Sequence, residues 1–241
     1  MLKNTLKVIG IFILGVFGGI FADQILWPYF IERPLFYQYR LEQSPVYVTE
    51  RKEIIVRENV ALSNAVEKVE KVVIGVRTEG KTGKILEGSG LIVTSDGLVV
   101  TLAELVPQGS TFSFFVDGKL VSFQILKRDL KENLALVKVE KANLPTVGFA
   151  NLEKIKLGER VFLVGLILEN QKITSPGLVV NEGIIKSFNE NLIQTNITEE
   201  IFLQGSPLFN IEGEVLGINT IDKDGKVITI PVSKIKTFAG F

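Results

Sequence analysis

The stretch that decides the fold is GSGLIVTSDGLVVT, residues 88–101. It holds two runs rich in branched aliphatic residues, one at Gly90–Val93 and one beginning at Leu98, with Ser95, Asp96 and Gly97 between them. Branched aliphatic residues favour strands, and a short Ser-Asp-Gly segment supplies the backbone freedom of a tight turn. The stretch therefore predicts a β-hairpin.

The same alternation of short β-rich runs and turn residues continues along the chain after Val72. No long helical pattern separates the runs, so they predict an all-β body of roughly 170 residues. That is more than one small barrel needs, and we expect two barrels with a break near residues 143–156. The predicted strands cover residues 72–77, 90–93, 98–102, 111–116, 120–126, 135–139, 160–164, 183–187, 191–195, 214–219 and 227–230.

The absence of cysteine and histidine excludes several classes of catalytic and metal-binding site. The 241 residues contain no cysteine and no histidine, which excludes disulfides, thiol nucleophiles, Cys/His zinc sites and imidazole bases within them. Hydrophobic residues make up 46%, so the chain can bury a core. Lys plus Arg equals Asp plus Glu, 27 each, which leaves no basic field for nucleic acid. We expect no cofactor, no metal site and no nucleic-acid partner.

An apolar segment opens the chain. Lys3 and Lys7 precede the uncharged run Val8–Ala22, and a helix continued to Trp27 is long enough to cross a bilayer. A cleaved signal peptide is the alternative, but the residues ahead of Asp23 form a poor cleavage pattern, which favours an uncleaved anchor. The two lysines favour a cytoplasmic N-terminus. The chain is therefore predicted to cross the inner (cytoplasmic) membrane once, with its body on the exported side, periplasmic or extracellular.

Gly15 and Gly19 stand four residues apart in this segment. Small residues at that spacing let two membrane helices approach closely, so the helices of two chains can pair. The alternative is that glycine is simply common in membrane helices. Both interpretations stay open.

The region between the apolar segment and the β-rich body is predicted to be a stalk. Residues 28–59 carry prolines, mixed charge and the aromatic residues Phe30, Phe36, Tyr37 and Tyr39, which could pack on the body or on a neighbouring subunit. Residues 61–71 then show the spacing of a short amphipathic helix. We expect an anchor at 1–27, the stalk at 28–59, a first barrel at 60–148 and a second at 149–241.

Four motifs in unbroken order resemble the HtrA/Deg family of trypsin-like serine proteases. Residues 88–101 resemble the opening of that protease domain, and NLALVK at 133–138 resembles its D-L-A-V-L-K strand. KLGERV at 156–161 resembles its V-G-D-x-V turn, and residues 194–220 resemble the stretch around its nucleophile and the following hairpin. The resemblance runs from about Val60 to Lys236. It implies two six-stranded Greek-key β-barrels with a cleft between them.

The same alignment places other residues at the positions of the family's triad. TLAELV at 101–106 aligns with T-N-x-H-V-V and puts Glu104 where the family has its histidine. Asn133 stands where the family has its aspartate. FLQGSPL at 202–208 aligns with G-N-S-G-G-P-L and puts Gln204 at the nucleophile, with Phe202 and Leu203 in the loop that builds the oxyanion hole.

This degenerate triad predicts a chain that is not an enzyme. A serine hydroxyl becomes a nucleophile only when a positioned base takes its proton, and Gln204 has no hydroxyl to activate. Ser206 is a conceivable substitute but aligns with a glycine of a tight turn. Glu104 with Glu199 or Glu200 could in principle act on a glycosidic bond, although nothing else resembles a sugar site.

Three classes of function therefore remain. The preferred one is a membrane-anchored inactive homologue that binds polypeptides or active proteases in the cell envelope. The second is an oligomeric scaffold, and the third is an enzyme, either an active serine endopeptidase with a non-standard site or a different hydrolase. The resemblance also implies a trimer, because family members often trimerise. The chain ends at Phe241, just past the expected second barrel, so we expect no PDZ domain.

Overall fold

The computed structural model describes residues 2–32, 60–168 and 177–241. The chain divides into two compact units, Met1–Val56 and Arg57–Phe241. The first contains the N-terminal helix and the second contains the β-rich body, and each is described by itself below.

The N-terminal unit is helical in its described part. Helix α1 covers Leu2–Phe21 and continues as a π-helix over Ala22–Glu32. Within it, Lys3–Trp27 has a mean hydropathy of 2.1 and is long and apolar enough to cross a membrane, a property that signal sequences share. Gly15 and Gly19 have open space beside them, and their pairing stays a prediction.

The predicted stalk is described only at its beginning. Pro28–Glu32 is helical and continues the N-terminal helix. The rest of the stalk, including Phe36, Tyr37 and Tyr39, lies outside the described residues.

The predicted amphipathic helix before the body is confirmed. Residues 60–69 form helix α2, and a 3-10 turn, Glu70–Val72, leads into the first strand. Ala65 and Val69 are buried, and Leu62 and Val66 pack against the same core. The helix therefore covers the body with the apolar face that its spacing predicts.

Seven strands form the first sheet, in the order β5-β4-β1-β2-β3-β7-β6. Its two edge strands, β5 and β6, are separated only by Ser122, so one bent segment supplies both edges. Strand pairing leaves the sheet open, whereas six strands closed into a barrel were expected. The prediction of a single strand at 120–126 missed this break, because β5 pairs with β4 while β6 pairs with β7. The strands are β1 Val73–Glu79, β2 Ile85–Ile92, β3 Leu98–Leu102, β4 Thr111–Val116, β5 Lys119–Val121, β6 Phe123–Asp129 and β7 Leu134–Val139.

The other six strands form a closed barrel in the order β10-β13-β12-β11-β8-β9. Helix α3, Val232–Ala239, follows the last strand and buries Val232, Ile235 and Phe238. The fold is thus mainly β, as predicted. The barrel strands are β8 Arg160–Ile167, β9 Gly177–Phe188, β10 Ile193–Thr198, β11 Pro207–Asn210, β12 Val215–Ile221 and β13 Lys226–Pro231.

The hairpin predicted from residues 88–101 is confirmed. Strands β2 and β3 pair with Leu91 opposite Val100, and Gly97 in the turn has a φ of 100°. The Lys138 ammonium, and after it the Thr94 hydroxyl, hold the pKa of Asp96 in this turn below its ordinary value. Because the folded-state pKa is the lower one, these contacts stabilise the fold at neutral pH. Their contribution is lost as the pH falls through the folded-state pKa.

Strand β8 connects the hydrophobic interiors of the body. Phe162 and Val164 belong to a core that extends from the first sheet, whereas Val161 and Leu163 belong to a second core inside the closed barrel. Successive side chains of a strand point to opposite faces, so a continuously apolar strand can serve two cores. The first sheet and the barrel are therefore packed together along β8.

Candidate functional site

A cleft of about 790 Å³ lies between the first sheet and the closed barrel. Both contribute to its walls, and the residues at two of the three positions of the expected triad line it. The lining residues are Arg77, Lys84, Ile85, Leu86, Glu87, Glu104 and Leu105 from the first sheet, with Leu168, Ile201, Phe202 and Gln204 from the barrel side.

Glu104 enters the cleft from a short turn at the end of β3. The turn is a 3-10 helix, Ala103–Leu105, in which Ala103 and Leu105 are buried and Glu104 is exposed. The Ala103 N–H donates to the Asn133 carbonyl oxygen at 3.1 Å, which ties the turn to the start of β7. The buried neighbours on either side thus fix the direction in which Glu104 points.

Asn133 holds the Glu104 carboxylate in a reciprocal pair of hydrogen bonds. Asn133 Nδ2 donates to Glu104 Oε1 at 2.9 Å, and the Glu104 N–H donates to Asn133 Oδ1 at 3.1 Å. Asn133 has a φ of 53°, a left-handed conformation that asparagine tolerates better than most residues. Two residues that lie far apart in the sequence are therefore in direct contact at the edge of the cleft.

Gln204 reaches the cleft from the barrel side. Its side chain is only 7% exposed, and its Nε2 donates to the Ile221 carbonyl oxygen at 3.3 Å. Its Oε1 is buried without a hydrogen-bond partner among the described residues. An unsatisfied buried acceptor costs about 1–3 kcal/mol. Gln204 is thus a fixed wall residue rather than an exposed reactive group.

The loop before Gln204 uses its backbone donors internally. Ile201–Leu203 is a 3-10 turn, in which the Leu203 N–H donates to the Glu200 carbonyl at 3.0 Å and the Gln204 N–H to the Ile201 carbonyl at 3.2 Å. Phe202 packs against the core of the closed barrel. An oxyanion hole needs free N–H groups aimed at the reacting oxygen. Here the donors of Leu203 and Gln204 are already bonded to carbonyls of the same turn.

Ser206 is buried and lies outside the cleft lining. Asn219 Nδ2 donates to its Oγ at 3.2 Å, and Asn219 Oδ1 accepts from the Thr229 hydroxyl at 2.6 Å. The hydroxyl is therefore part of an internal polar network that fastens β11 to β12 and β13. Glu199 and Glu200 also lie outside the cleft lining, and Glu199 Oε1 instead accepts from Asn181 Nδ2 at 2.6 Å.

One wall of the cleft is absent from the sequence prediction. The pattern predicts a strand only at Gly90–Val93, whereas β2 begins at Ile85, and its first residues line the cleft. Glycine is depleted in strands, so Gly88 interrupts the sequence pattern that would otherwise predict a strand from Ile85 onward. It is needed there because a Cβ would lie 2.6 Å from the Gln204 carbonyl oxygen. The cross-strand ion pair between Arg77 and Glu87, at 3.2 Å, was also missed.

The fold and the cleft agree with what comparison with known proteins finds. A family model described as a trypsin-like peptidase domain matches residues 88–218, more than half of the chain. The chain belongs to this family. Its trypsin-like domain is an HtrA-type one, as the motifs predicted.

Several curated relatives are similar to the trypsin-like domain. Serine protease HTRA1 of Xenopus laevis is 32% identical over 160 residues, 63% of this chain and 35% of the relative. Putative serine protease HhoB of Synechocystis is 32% identical over 162 residues, 63% of this chain and 39% of the relative. A probable periplasmic serine endoprotease DegP-like of Halomonas elongata is 30% identical over 136 residues, 55% of this chain and 29% of the relative. The matched part thus spans well under half of each relative's length.

The contact between Asn133 and Glu104 is expected to contribute to the stability of the body. Replacing Asn133→Asp removes the donor to Glu104 Oε1 and places two carboxylates side by side, which costs about 1 kcal/mol. We expect the Tm of the body at neutral pH to fall by about 2–4 °C. The repulsion between the two carboxylates is electrostatic, so added salt should reduce the loss.

The measurement is thermal unfolding at neutral pH, at low and at high salt, for the native protein, Asn133→Asp and a control. Asn191→Asp is the matched control, because Asn191 is exposed and lies outside the cleft. An Asn133→Asp variant with an unchanged Tm at neutral pH would contradict the described pairing.

Proposed function

We propose that this chain is a membrane-anchored, trypsin-like protein that binds polypeptides in the cell envelope without cleaving them. The observation that carries the proposal is the residue at position 204. Gln204 lines the cleft from the barrel side, whereas Glu104 lines it from the first sheet, and Gln204 has no hydroxyl from which an acyl intermediate could form. Without a nucleophile, the covalent route of the family's proteases has no first step.

The base and the oxyanion loop support the same conclusion. The sequence has no histidine, so no imidazole can shuttle a proton between nucleophile and leaving group. The Gln204 N–H is bonded to the Ile201 carbonyl, so it is not free to stabilise a developing oxyanion. When nucleophile, base and orienting carboxylate are all missing, only weak rate effects from binding remain. The degenerate triad of Glu104, Asn133 and Gln204 therefore serves a binding role.

The cleft supports a binding role because it stays open and partly apolar. Its volume of about 790 Å³ accommodates several side chains of an extended polypeptide, and Ile201 on its wall is 60% exposed. Exposed apolar side chains in a concavity are typical of interaction sites. The partner is an unfolded polypeptide segment or a segment of an active protease.

The N-terminal helix supports the proposed location. Lys3–Trp27 is long and apolar enough to serve as an uncleaved anchor. The lysines before it favour a cytoplasmic N-terminus and an exported body. Relatives named as probable periplasmic endoproteases agree with that side of the membrane. Self-association, as a trimer or through Gly15 and Gly19, is a further part of the proposal.

A binding assay with the full chain in detergent tests this function. A carboxymethylated, permanently unfolded protein carrying a fluorophore is titrated with the chain, and anisotropy and fragment formation are followed together. We expect saturable binding without fragments. Ile201→Ser should weaken binding about fivefold to tenfold, because it removes exposed apolar area from the cleft.

Leu157→Ser is the matched control for this assay. Leu157 is 66% exposed but lies outside the cleft lining, so its replacement removes a similar aliphatic surface elsewhere. Equal weakening by the two variants would show that binding is not located in the cleft. Fragments that accumulate with time would show that the chain is a protease.

A further inference from the structure

The Glu104 carboxylate is an acceptor without a cationic partner. Its Oε1 accepts from Asn133 Nδ2, and within residues 2–32, 60–168 and 177–241 no Lys or Arg nitrogen lies within 4 Å of it. The hydrogen bonds of Asn133 fix the position of the carboxylate before any ligand arrives. A group held in this way loses little conformational entropy on binding.

The other charged residues of the lining leave this carboxylate unpaired. Arg77 and Glu87 form an ion pair with one another at 3.2 Å. Lys84 is exposed at the end of the β1–β2 turn, and its ammonium nitrogen does not lie within 4 Å of the Glu104 carboxylate. Among the described lining residues, the Glu104 carboxylate is therefore free to receive a cation from a ligand.

Apolar side chains stand beside Glu104 across the cleft. Leu105 adjoins it in the same turn, and Ile201 and Phe202 form the opposite wall. Phe202 is half-buried on the core of the closed barrel, so this wall has a rigid base. A carboxylate bordered by aliphatic and aromatic surface complements a ligand that carries a cation next to an apolar group.

We propose that the cleft selects polypeptide segments in which a Lys or Arg side chain adjoins an aliphatic or aromatic residue. The cation binds the Glu104 carboxylate, and the apolar neighbour packs against Ile201 and Phe202. This selectivity rests on the proposed polypeptide-binding function and adds the class of segment that is bound. The residue that replaces the family's catalytic base thus acts as the anchor for a basic side chain.

Three fluorescent peptides of equal length test the selectivity against the full chain in detergent. They share Gly/Ser flanks and differ only in a central Lys-Leu, Gln-Leu or Glu-Leu pair. We expect the Lys-Leu peptide to bind about twofold to fivefold more tightly than the Gln-Leu peptide at low salt, and the Glu-Leu peptide to bind most weakly. High salt should reduce the difference between them.

The variant Glu104→Gln isolates the charge. It keeps an oxygen that can accept from Asn133 Nδ2, so the local structure is retained while the negative charge is removed. We expect its affinity for the Lys-Leu peptide to fall about twofold to fivefold, to that of the Gln-Leu peptide. Glu140→Gln is the control, because Glu140 is exposed and lies outside the cleft lining. It should leave all three affinities unchanged.

The possible outcomes separate this inference from the proposed function. If Glu104→Gln keeps the preference for Lys-Leu, or if the native chain shows none, the inference is overturned. If Ile201→Ser still weakens binding of the unfolded protein in that case, the proposed function is supported although the selectivity is not. If neither the peptides nor the unfolded protein bind, the proposed function itself fails, and the selectivity fails with it.

Discussion

The triple variant Glu104→His, Asn133→Asp and Gln204→Ser is expected to stay near background in labelling by a serine-directed phosphonate. Adding Phe202→Gly to it should raise the labelling rate about 10²–10³-fold, which is the worth of an oxyanion-hole donor. The triple variant supplies a nucleophile and a base at two positions that line the cleft, and an orienting carboxylate at the position that bonds residue 104. It does not restore the donors, because the Gln204 N–H is bonded to the Ile201 carbonyl at 3.2 Å.

Phe202 is the residue that holds the donors in the closed turn. Its side chain packs against the core of the closed barrel, so it fastens the 3-10 turn Ile201–Leu203. Glycine at this position removes that packing and permits the backbone conformations that an open oxyanion loop needs. The control is Phe202→Gly with the native Glu104, Asn133 and Gln204, which should show no labelling. Strong labelling of the triple variant alone would contradict the role given to this turn.

Gly205→Ala is expected to destabilise the body by about 3–5 kcal/mol, the sum of backbone strain and a steric overlap. Gly205 has a φ of 77°, and a Cβ there would lie 2.2 Å from the Ser89 carbonyl oxygen. The Ser89 N–H donates to the Gln204 carbonyl at 2.8 Å in the same contact. Alanine would therefore push β2 away from the loop that carries Gln204, and we expect the Tm to fall by about 10 °C or more.

Gly158→Ala is the matched control for that variant. Gly158 also has a positive φ, 79°, but a Cβ there meets nothing within 4 Å. Alanine at this position adds backbone strain but no steric overlap, so it should lower the free energy of unfolding by only about 1 kcal/mol. Urea unfolding of both variants measures the difference. Equal losses of stability would show that the close approach of β2 to Gly205 contributes nothing.

Local elements of the fold follow from the sequence where pattern and tertiary contacts agree. The predicted strands at 98–102 and 111–116 are those observed for β3 and β4. Strand β11, Pro207–Asn210, is absent from the prediction because proline and asparagine are poor strand formers. Its pairing with β8 and β12 inside the barrel supplies what the local sequence lacks.

Strand β9 shows a second limit of pattern reasoning. It covers Gly177–Phe188, whereas the pattern predicts only residues 183–187. The exposed face of β9 carries apolar residues, with Leu178, Val180 and Ile184 each about 40% exposed. A strand shows alternation of apolar and polar residues only when its exposed face is polar, so β9 carries little signal in the sequence.

The sequence predicted a few residues of the candidate site but not most of its walls. The resemblance placed Glu104, Asn133 and Gln204 in one region, and two of them line the cleft while the third bonds Glu104. The internal hydrogen bonds of the 3-10 turn and the unpaired Gln204 Oε1 depend on backbone positions that side-chain patterns do not encode. The apolar wall at Ile85 and Leu86 likewise comes from packing between the first sheet and the barrel.

Intact-mass spectrometry of the full chain tests the absence of catalysis most directly. The purified protein is incubated in detergent with an unfolded protein substrate, and separately with a serine-directed phosphonate. We expect an unchanged chain mass in both samples and no substrate fragments. A covalent adduct on any serine, accompanied by turnover that Ser206→Ala abolishes, would contradict it.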